Sequence, residues 1–301
     1  MTIRESMGAF LDYIAHERRL SPNTVASYKA SLERFCGYLL EAEQVSELED
    51  LDARLIRSWQ MSLMDGECSA RTTNKMLSAL HSWCRYLRKR GLIATDPFQK
   101  VTTVKTDKKL PIFYKESEVE RIYEAGLFPD TFNGRRDQLL LRILYETGIR
   151  RAEAIGLKES SVDLGQLQIK VLGKRNKERI IPIEIELAHT ISAFLALKKE
   201  KGIDTESLLP DEKGHPLNIS RVAAIVKRYM GQISSADRIS PHVFRHTFAT
   251  HMLNEGANID AIKELLGHTD LMATEVYTHV TREHLKEAYQ HAHPRSQKPK
   301  H

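Results

Sequence analysis

Apolar positions over the first hundred residues recur with the 3.6-residue period of helices that bury one face. Met7, Phe10, Leu11 and Ile14 form one such stripe, and Leu55, Ile56, Trp59 and Leu63 form another. Between them, Ser21 followed by Pro22 offers an N-cap and a first-turn proline, after which Val25, Tyr28, Leu32, Phe35, Cys36 and Leu39 continue the period. A further helix is predicted from Ser69, burying Leu77, Leu80, Cys84 and Leu87 and stopping at Gly91, with Pro97 shortly beyond. Its C-terminal end carries Arg85, Arg88, Lys89 and Arg90, which suit either the negative end of the helix dipole or contacts to phosphate.

The run KVTTVKTDKK, Lys100 to Lys109, has almost no large apolar side chain and reads as an exposed linker ending at Pro111. The pattern then becomes mixed. Leu139, Leu140, Ile143 and Leu144 make a buried helix stripe, while QLQIKV (Gln166 to Val171) and RIIPI (Arg179 to Ile183) read as strands joined by a tight basic hairpin. Helices are predicted again over Ile185 to Lys199, Ser220 to Met230, Ser240 to Leu253, Asp260 to Leu266 and Leu271 to Tyr277. The expected fold class is mainly α with a small β-sheet. A helical domain at 1–99, a linker at 100–111 and a mixed α/β domain at 112–301 follow.

Composition narrows the class. A chain of 301 residues exceeds what one core usually organises, and 41% hydrophobic residues suffice for two. Lys plus Arg outnumber Asp plus Glu by 45 to 40, a net charge of +5 that leans toward a polyanionic partner. Cys36, Cys68 and Cys84 are odd in number and lack C-x-x-C spacing, so neither a disulfide framework nor a zinc site is implied. Glu5, Asp12 and Glu17 interrupt the opening segment, which therefore reads as no signal peptide, and no stretch approaches a membrane span. A cytoplasmic protein is expected.

Four scattered segments carry residues suited to phosphoryl chemistry. In ETGIRRAE, Gly148 is a plausible helix stop, so Arg150 projects from the start of the next helix, where backbone N–H groups favour an anion and Glu153 shares its face. An ordinary surface arginine with an i, i+3 ion pair explains the same residues. In SPHVFRHTF, His242 and Arg245 stand one helical turn apart at a capped N-terminus and can clamp two phosphate oxygens, with Phe244 and Phe248 packing the opposite side. His268 follows a helix-ending Gly267, and Tyr277 comes nine residues later; a tyrosine there is equally core filler. Lys174 sits on the tip side of the basic hairpin, where a solvated turn lysine is the plain alternative.

Taken in order, Arg150, Lys174, His242, Arg245, His268 and Tyr277 resemble the catalytic set of the tyrosine recombinase (phage integrase) family. ETGIRRAEAIGL, VLGKRNKERIIPI, SPHVFRHTFATHML and LLGHTDLMATEVYTHV resemble that family's motif boxes, and the closing HPR, His293 to Arg295, resembles the ends of the Xer site-specific recombinases. LSPNTVASY and ALHSWCRYL in the helical part look like the family's core-binding domain. Ala152 and Ala273 stand where relatives often carry serine.

The resemblance implies a core-binding domain and a catalytic domain that clamp around DNA. It implies that Tyr277 attacks a scissile phosphate to give a 3′-phosphotyrosyl enzyme, with no metal, nucleotide or other cofactor. In that scheme Arg150 and Arg245 bind developing charge, His242 and His268 donate or relay a proton, and Lys174 protonates the leaving 5′-oxygen. It further implies double-stranded DNA at a specific recombination site, four protomers from this chain alone or with a paralogous partner, and activation by a DNA translocase at the division septum. A host recombinase resolving chromosome or plasmid multimers is the first reading. An integrase of a phage or mobile element, a type IB topoisomerase and a non-catalytic helical DNA-binding protein are the alternatives. The tail stripe Leu285, Ala288, Tyr289 and Ala292 is expected to dock on a neighbouring protomer, or else to fold back on its own domain.

Overall fold

The structure, a computed structural model, describes residues 1–66, 68–106, 112–173, 177–267, 289 and 292. The chain divides into two compact units, Met1–Lys109 and Leu110–His301.

The first unit is built from α1 (Ile3–Asp12), α2 (Pro22–Tyr38), α3 (Ala53–Asp65) and α4 (Ala70–Lys89). Each start is capped by a side chain. Thr2 and Glu5 form a capping box, and Ser21, Asp52 and Ser69 accept from the backbone N–H of Thr24, Leu55 and Thr72. The buried stripes meet around Phe35, whose ring lies 4.9 Å from that of Trp59 and 6.4 Å from that of Trp83. The stretch read as an exposed linker is tied down over its first half. Asn74 on α4 donates to the Val104 carbonyl at 2.7 Å and accepts its N–H at 2.8 Å, as a strand neighbour would.

The second unit wraps around α6 (Phe132–Thr147), which is buried on almost every side from Leu139 onward. A short α5 (Glu116–Glu120) precedes it. After α7 (Arg151–Ile155) come β1 (Val162–Asp163), β2 (Gln168–Leu172) and β3 (Glu178–Pro182), an antiparallel sheet in the order β1-β2-β3. Strand β2 begins two residues later than expected. Gln166 closes a turn onto the Asp163 carboxylate, and Leu167 takes a left-handed φ of 51°. Cross-strand partners Ile169 and Ile181, and Val171 and Arg179, share the face turned to the core. Then follow α8 (Ile185–Glu200), α9 (Ile219–Ile233), α10 (Pro241–Asn254) and α11 (Ile259–Leu266), with α8 and α10 packed on α6. The helix read over Leu271 to Tyr277 lies outside the described residues.

Gly148 ends α6 with a φ of +60°, and a side chain there would stand 2.6 Å from the Phe248 ring of α10. The glycine both turns the chain and lets two helices touch. Tyr289 and Ala292 correct the expectation of a tail docked on a neighbour, because both are buried in the core of their own unit. Glu146 lies in the last turn of α6, where a carbonyl lacks a helical donor, and the Tyr289 hydroxyl supplies one at 2.8 Å. In the full chain, Tyr289→Ala is expected to lower unfolding stability by about 3–5 kcal/mol and Tyr289→Phe by about 1 kcal/mol. Urea titration reads both, and an unchanged midpoint for the alanine variant would contradict docking within the chain.

Candidate active site

Arg150 occupies the N-cap of α7, immediately after the glycine turn that closes α6. Its guanidinium donates to Glu153 at 2.8 Å through one terminal nitrogen and to the Gly267 carbonyl at 3.2 Å through the other. The second Glu153 oxygen accepts the Arg150 backbone N–H at 2.8 Å. Arg245, one turn into α10, donates to the Gly148 carbonyl at 2.9 Å and to the Leu266 carbonyl at 2.7 Å. Two arginines 95 residues apart in sequence thus meet on one chain turn, the end of α11, and Arg245 is also held by the end of α6.

Arg179 joins them from the core face of β3. It grips Glu153 with two nitrogens, at 2.7 and 3.2 Å, and its Nε donates to the Leu265 carbonyl at 2.8 Å. The sequence reading passed it over as the first residue of a strand. A signal was present: Arg179 has the same parity as the buried Ile181 and Ile183, and an arginine on an inward position needs a charged partner.

The charges do not balance. Among the described residues, three guanidinium groups face one carboxylate, with the carbonyl ends of α6 and α11 adding partial negative charge. Burial, and then Arg150 alongside, bring the Arg245 pKa down to about 10, so it keeps its charge at neutral pH at some cost. Burial would raise the Glu153 pKa, but hydrogen bonds from Arg179 and Arg150 hold it below the usual carboxylate value. An excess of fixed donors in one place is what a phosphate requires.

His242 lies exposed one turn before Arg245. Desolvation and the cations Arg151, Arg238 and Arg245 push its pKa below the ordinary imidazole value, so its free ring is neutral at pH 7. Ser240 stands at the N-cap of α10, yet its hydroxyl makes no cap and is buried without a partner among the described residues, contrary to the capped start expected. Tyr114 takes over part of that role, its hydroxyl accepting the Ser240 N–H at 3.3 Å. Deeper in α10, His251 bridges the Tyr145 hydroxyl, 3.1 Å from Nδ1, and the Tyr114 carbonyl, 3.0 Å from Nε2. A carbonyl only accepts, so Nε2 carries the proton and the buried ring stays neutral.

The structure therefore brings together Arg150 and Arg245, with His242 on the same helix as Arg245. Lys174, His268 and Tyr277 lie outside the described residues. Among the described residues, no group of three or more His, Cys, Asp or Glu side chains is placed to hold a metal ion, and no helix is long and apolar enough to cross a membrane.

Glu153 should dominate the acid behaviour of this cluster. Its folded pKa lies below its unfolded value, so its contribution is complete above the unfolded carboxylate pKa of about 4.3 and is lost as pH falls through the folded one. Glu153→Gln is expected to cost roughly 3 kcal/mol at pH 7, and the gap to the parent protein should close below about pH 4. Urea unfolding across that range checks it; a gap independent of pH would contradict the assignment.

A model of the phage integrase family matches residues 113–284, and one of the phage integrase N-terminal SAM-like domain matches residues 7–91. The tyrosine recombinase XerC of Oceanobacillus iheyensis is 35% identical over 292 residues, covering 95% of each chain. That of Anoxybacillus flavithermus is 31% identical, covering 97% of this chain and 98% of its own. Among solved structures, a post-cleavage complex of the XerH site-specific recombinase with a palindromic difH substrate superposes with a TM-score of 0.72 at 22% identity. It covers 90% of this chain and 80% of that one, and shows the likeness of fold. Both units match models from one family, and relatives align over nearly their whole lengths: the chain belongs to the phage integrase family of tyrosine recombinases, enzymes that exchange DNA strands at specific sites.

Proposed function

We propose that this chain cuts and rejoins double-stranded DNA with Tyr277 as nucleophile, Arg150 and Arg245 as phosphate-binding donors, His242 and His268 as proton relays and Lys174 as general acid. The observation that carries the reading is the arginine pair. Each guanidinium is pinned by its terminal nitrogens, Arg150 to Glu153 and the end of α11, Arg245 to the ends of α6 and α11, and their combined charge exceeds what Glu153 neutralises. Donors held rigid before the substrate arrives need no reorganisation as charge develops, and each contributes on the order of 10²–10³ in rate. The tyrosine oxygen passes its proton to the histidine relay and bonds to phosphorus, the bond from phosphorus to the 5′-oxygen breaks as that oxygen takes a proton from Lys174, and the phosphodiester energy is kept in the protein–DNA bond. No nucleotide or metal enters this balance.

Residues 1–99 would serve as the core-binding domain and 112–301 as the catalytic domain, closing around the duplex. The basic end of α4, with Arg85, Arg88 and Lys89 exposed, supports phosphate contacts by the first of these. We further propose assembly of four protomers on two duplexes, and a cytoplasmic host role in resolving chromosome or plasmid multimers, with a septal DNA translocase as activator. The names of the XerC relatives support the host role over a mobile-element integrase. Complexes of the related λ integrase include a tetramer bound to a Holliday junction.

Three variants test the chemistry on a duplex selected by the protein from genomic fragments. Tyr277→Phe removes only the phenolic oxygen. It should bind DNA like the parent and form no covalent adduct on a denaturing gel, and an undiminished adduct would sink the nucleophile assignment. Lys174→Ala should cut ordinary DNA poorly yet cleave a 5′-bridging phosphorothiolate near the parent rate. Sulfur leaves as a weak base, near the ~8.5 of a free thiol, and needs no acid. Lys177→Ala should show a modest binding loss that sulfur does not repair. Rescue of Lys177→Ala in place of Lys174→Ala would reassign the acid.

A further inference from the structure

Arg179 has no part in the chemistry proposed above, yet it lies against Glu153, the base of the lysine hairpin and the end of α11. Its side chain is 13% exposed and that of Glu153 is 6% exposed, so the pair is largely shielded from water. Three of its nitrogens point inward, to both oxygens of Glu153 and to the Leu265 carbonyl. Two glycines line the guanidinium. A side chain on Gly267 would stand 3.2 Å from Arg179 Cδ and 3.3 Å from its Nη1, at a φ of +64° that disfavours any side chain. One on Gly173 would stand 3.5 Å from Arg179 Nη1 and 3.8 Å from the Glu153 carboxylate. Gly173 also closes the hairpin, its N–H donating to the Lys177 carbonyl at 2.8 Å. The residue after Gly173 in the chain is Lys174, and the residue after Gly267 is His268.

We propose that Arg179 is a positioning residue for the general acid: held by Glu153 and the end of α11, it fixes the base of the lysine hairpin relative to Arg150 and Arg245. The inference rests on the reading of Lys174 as that acid. Planarity is what the place demands. A guanidinium presents Nε and two terminal nitrogens in one fixed fork, which satisfies a carboxylate and a carbonyl together while staying thin enough to lie against two glycine backbones. A lysine ammonium keeps the charge but loses the fork. With Arg179 replaced by lysine, the hairpin base is free to shift, and a displacement near 1 Å is enough to cost about 10²-fold in rate.

The experiment compares ordinary and 5′-phosphorothiolate DNA in full-length protein. Arg179→Lys is expected to bind the selected duplex within about threefold of the parent, to cut ordinary DNA roughly 10²-fold more slowly, and to regain at least tenfold of that on the sulfur substrate. A merely structural role would slow both substrates alike. Thermal unfolding is followed alongside, and Gly173→Ala serves as a second variant that crowds the hairpin base without altering any charge. It should show the same substrate dependence with a smaller loss. Equal losses on both substrates in either folded variant, or no loss in Arg179→Lys, would overturn the inference. Should Lys174→Ala itself resist rescue by sulfur, the acid assignment fails and this inference fails with it.

Discussion

The carboxylate of Glu153 is the interaction on which the catalytic unit's arrangement depends. It lies at the start of α7, accepts from Arg150 on its own helix and from Arg179 on β3, and so locks a helix start to a sheet. A carboxylate so shielded from water is tolerable only when its lone pairs are filled, and four hydrogen bonds from two arginines fill them. Those arginines are tolerable for the reciprocal reason. Each then uses a further nitrogen on a backbone carbonyl at the end of α11, so a single carboxylate organises groups from three distant stretches of chain.

Positive charge is nevertheless left over. Arg245 gains no carboxylate among its described bonds; it sits on two carbonyls, and burial, followed by the neighbouring Arg150, brings its pKa down to about 10. Crowded cations repel one another and would be relieved by a phosphate, so the arrangement favours anion binding. Rigid support makes the relief directional. The arginines are anchored to helix ends, whose carbonyls cannot move without unwinding α6 or α11.

Helix termini recur as the device that positions things. Gly148 and Gly267 both end helices in the left-handed region, at φ of +60° and +64°, and in both cases the tight turn exposes carbonyls that an arginine then uses. The end of α6 serves twice more, since its Glu146 carbonyl receives the Tyr289 hydroxyl and its Gly148 backbone meets Phe248. The helical first unit relies on simpler means. Capped amphipathic helices close around Phe35, Trp59 and Trp83, and no buried ion pair is needed among the described residues there.

Much of this was legible in one dimension. The 3.6-residue period placed the stripes of α1 to α4, Ser21 and Ser69 marked two starts, and Gly148, followed by Arg150, marked where a helix stops and a donor projects. Such features are local, because a helix buries one face and ends at a cap whatever it later packs against. Arg150, His242 and Arg245 were likewise readable as candidates from their own segments. That Arg150 and Arg245 meet at the end of α11 was not readable, since the supports there are carbonyls, which every residue carries and no sequence distinguishes. Arg179 was missed because its partner lies 26 residues away and its meaning depends on which face of the strand turns inward. The tail stripe was visible, but not the surface it covers, because an amphipathic segment states that it must be buried and leaves the burial site to whichever cavity and unpaired carbonyl the folded chain presents. The sequence by itself thus determined the elements, their ends and the candidate donors; the tertiary structure alone decided which donors meet, because pairing of buried charges is settled between segments distant in the chain.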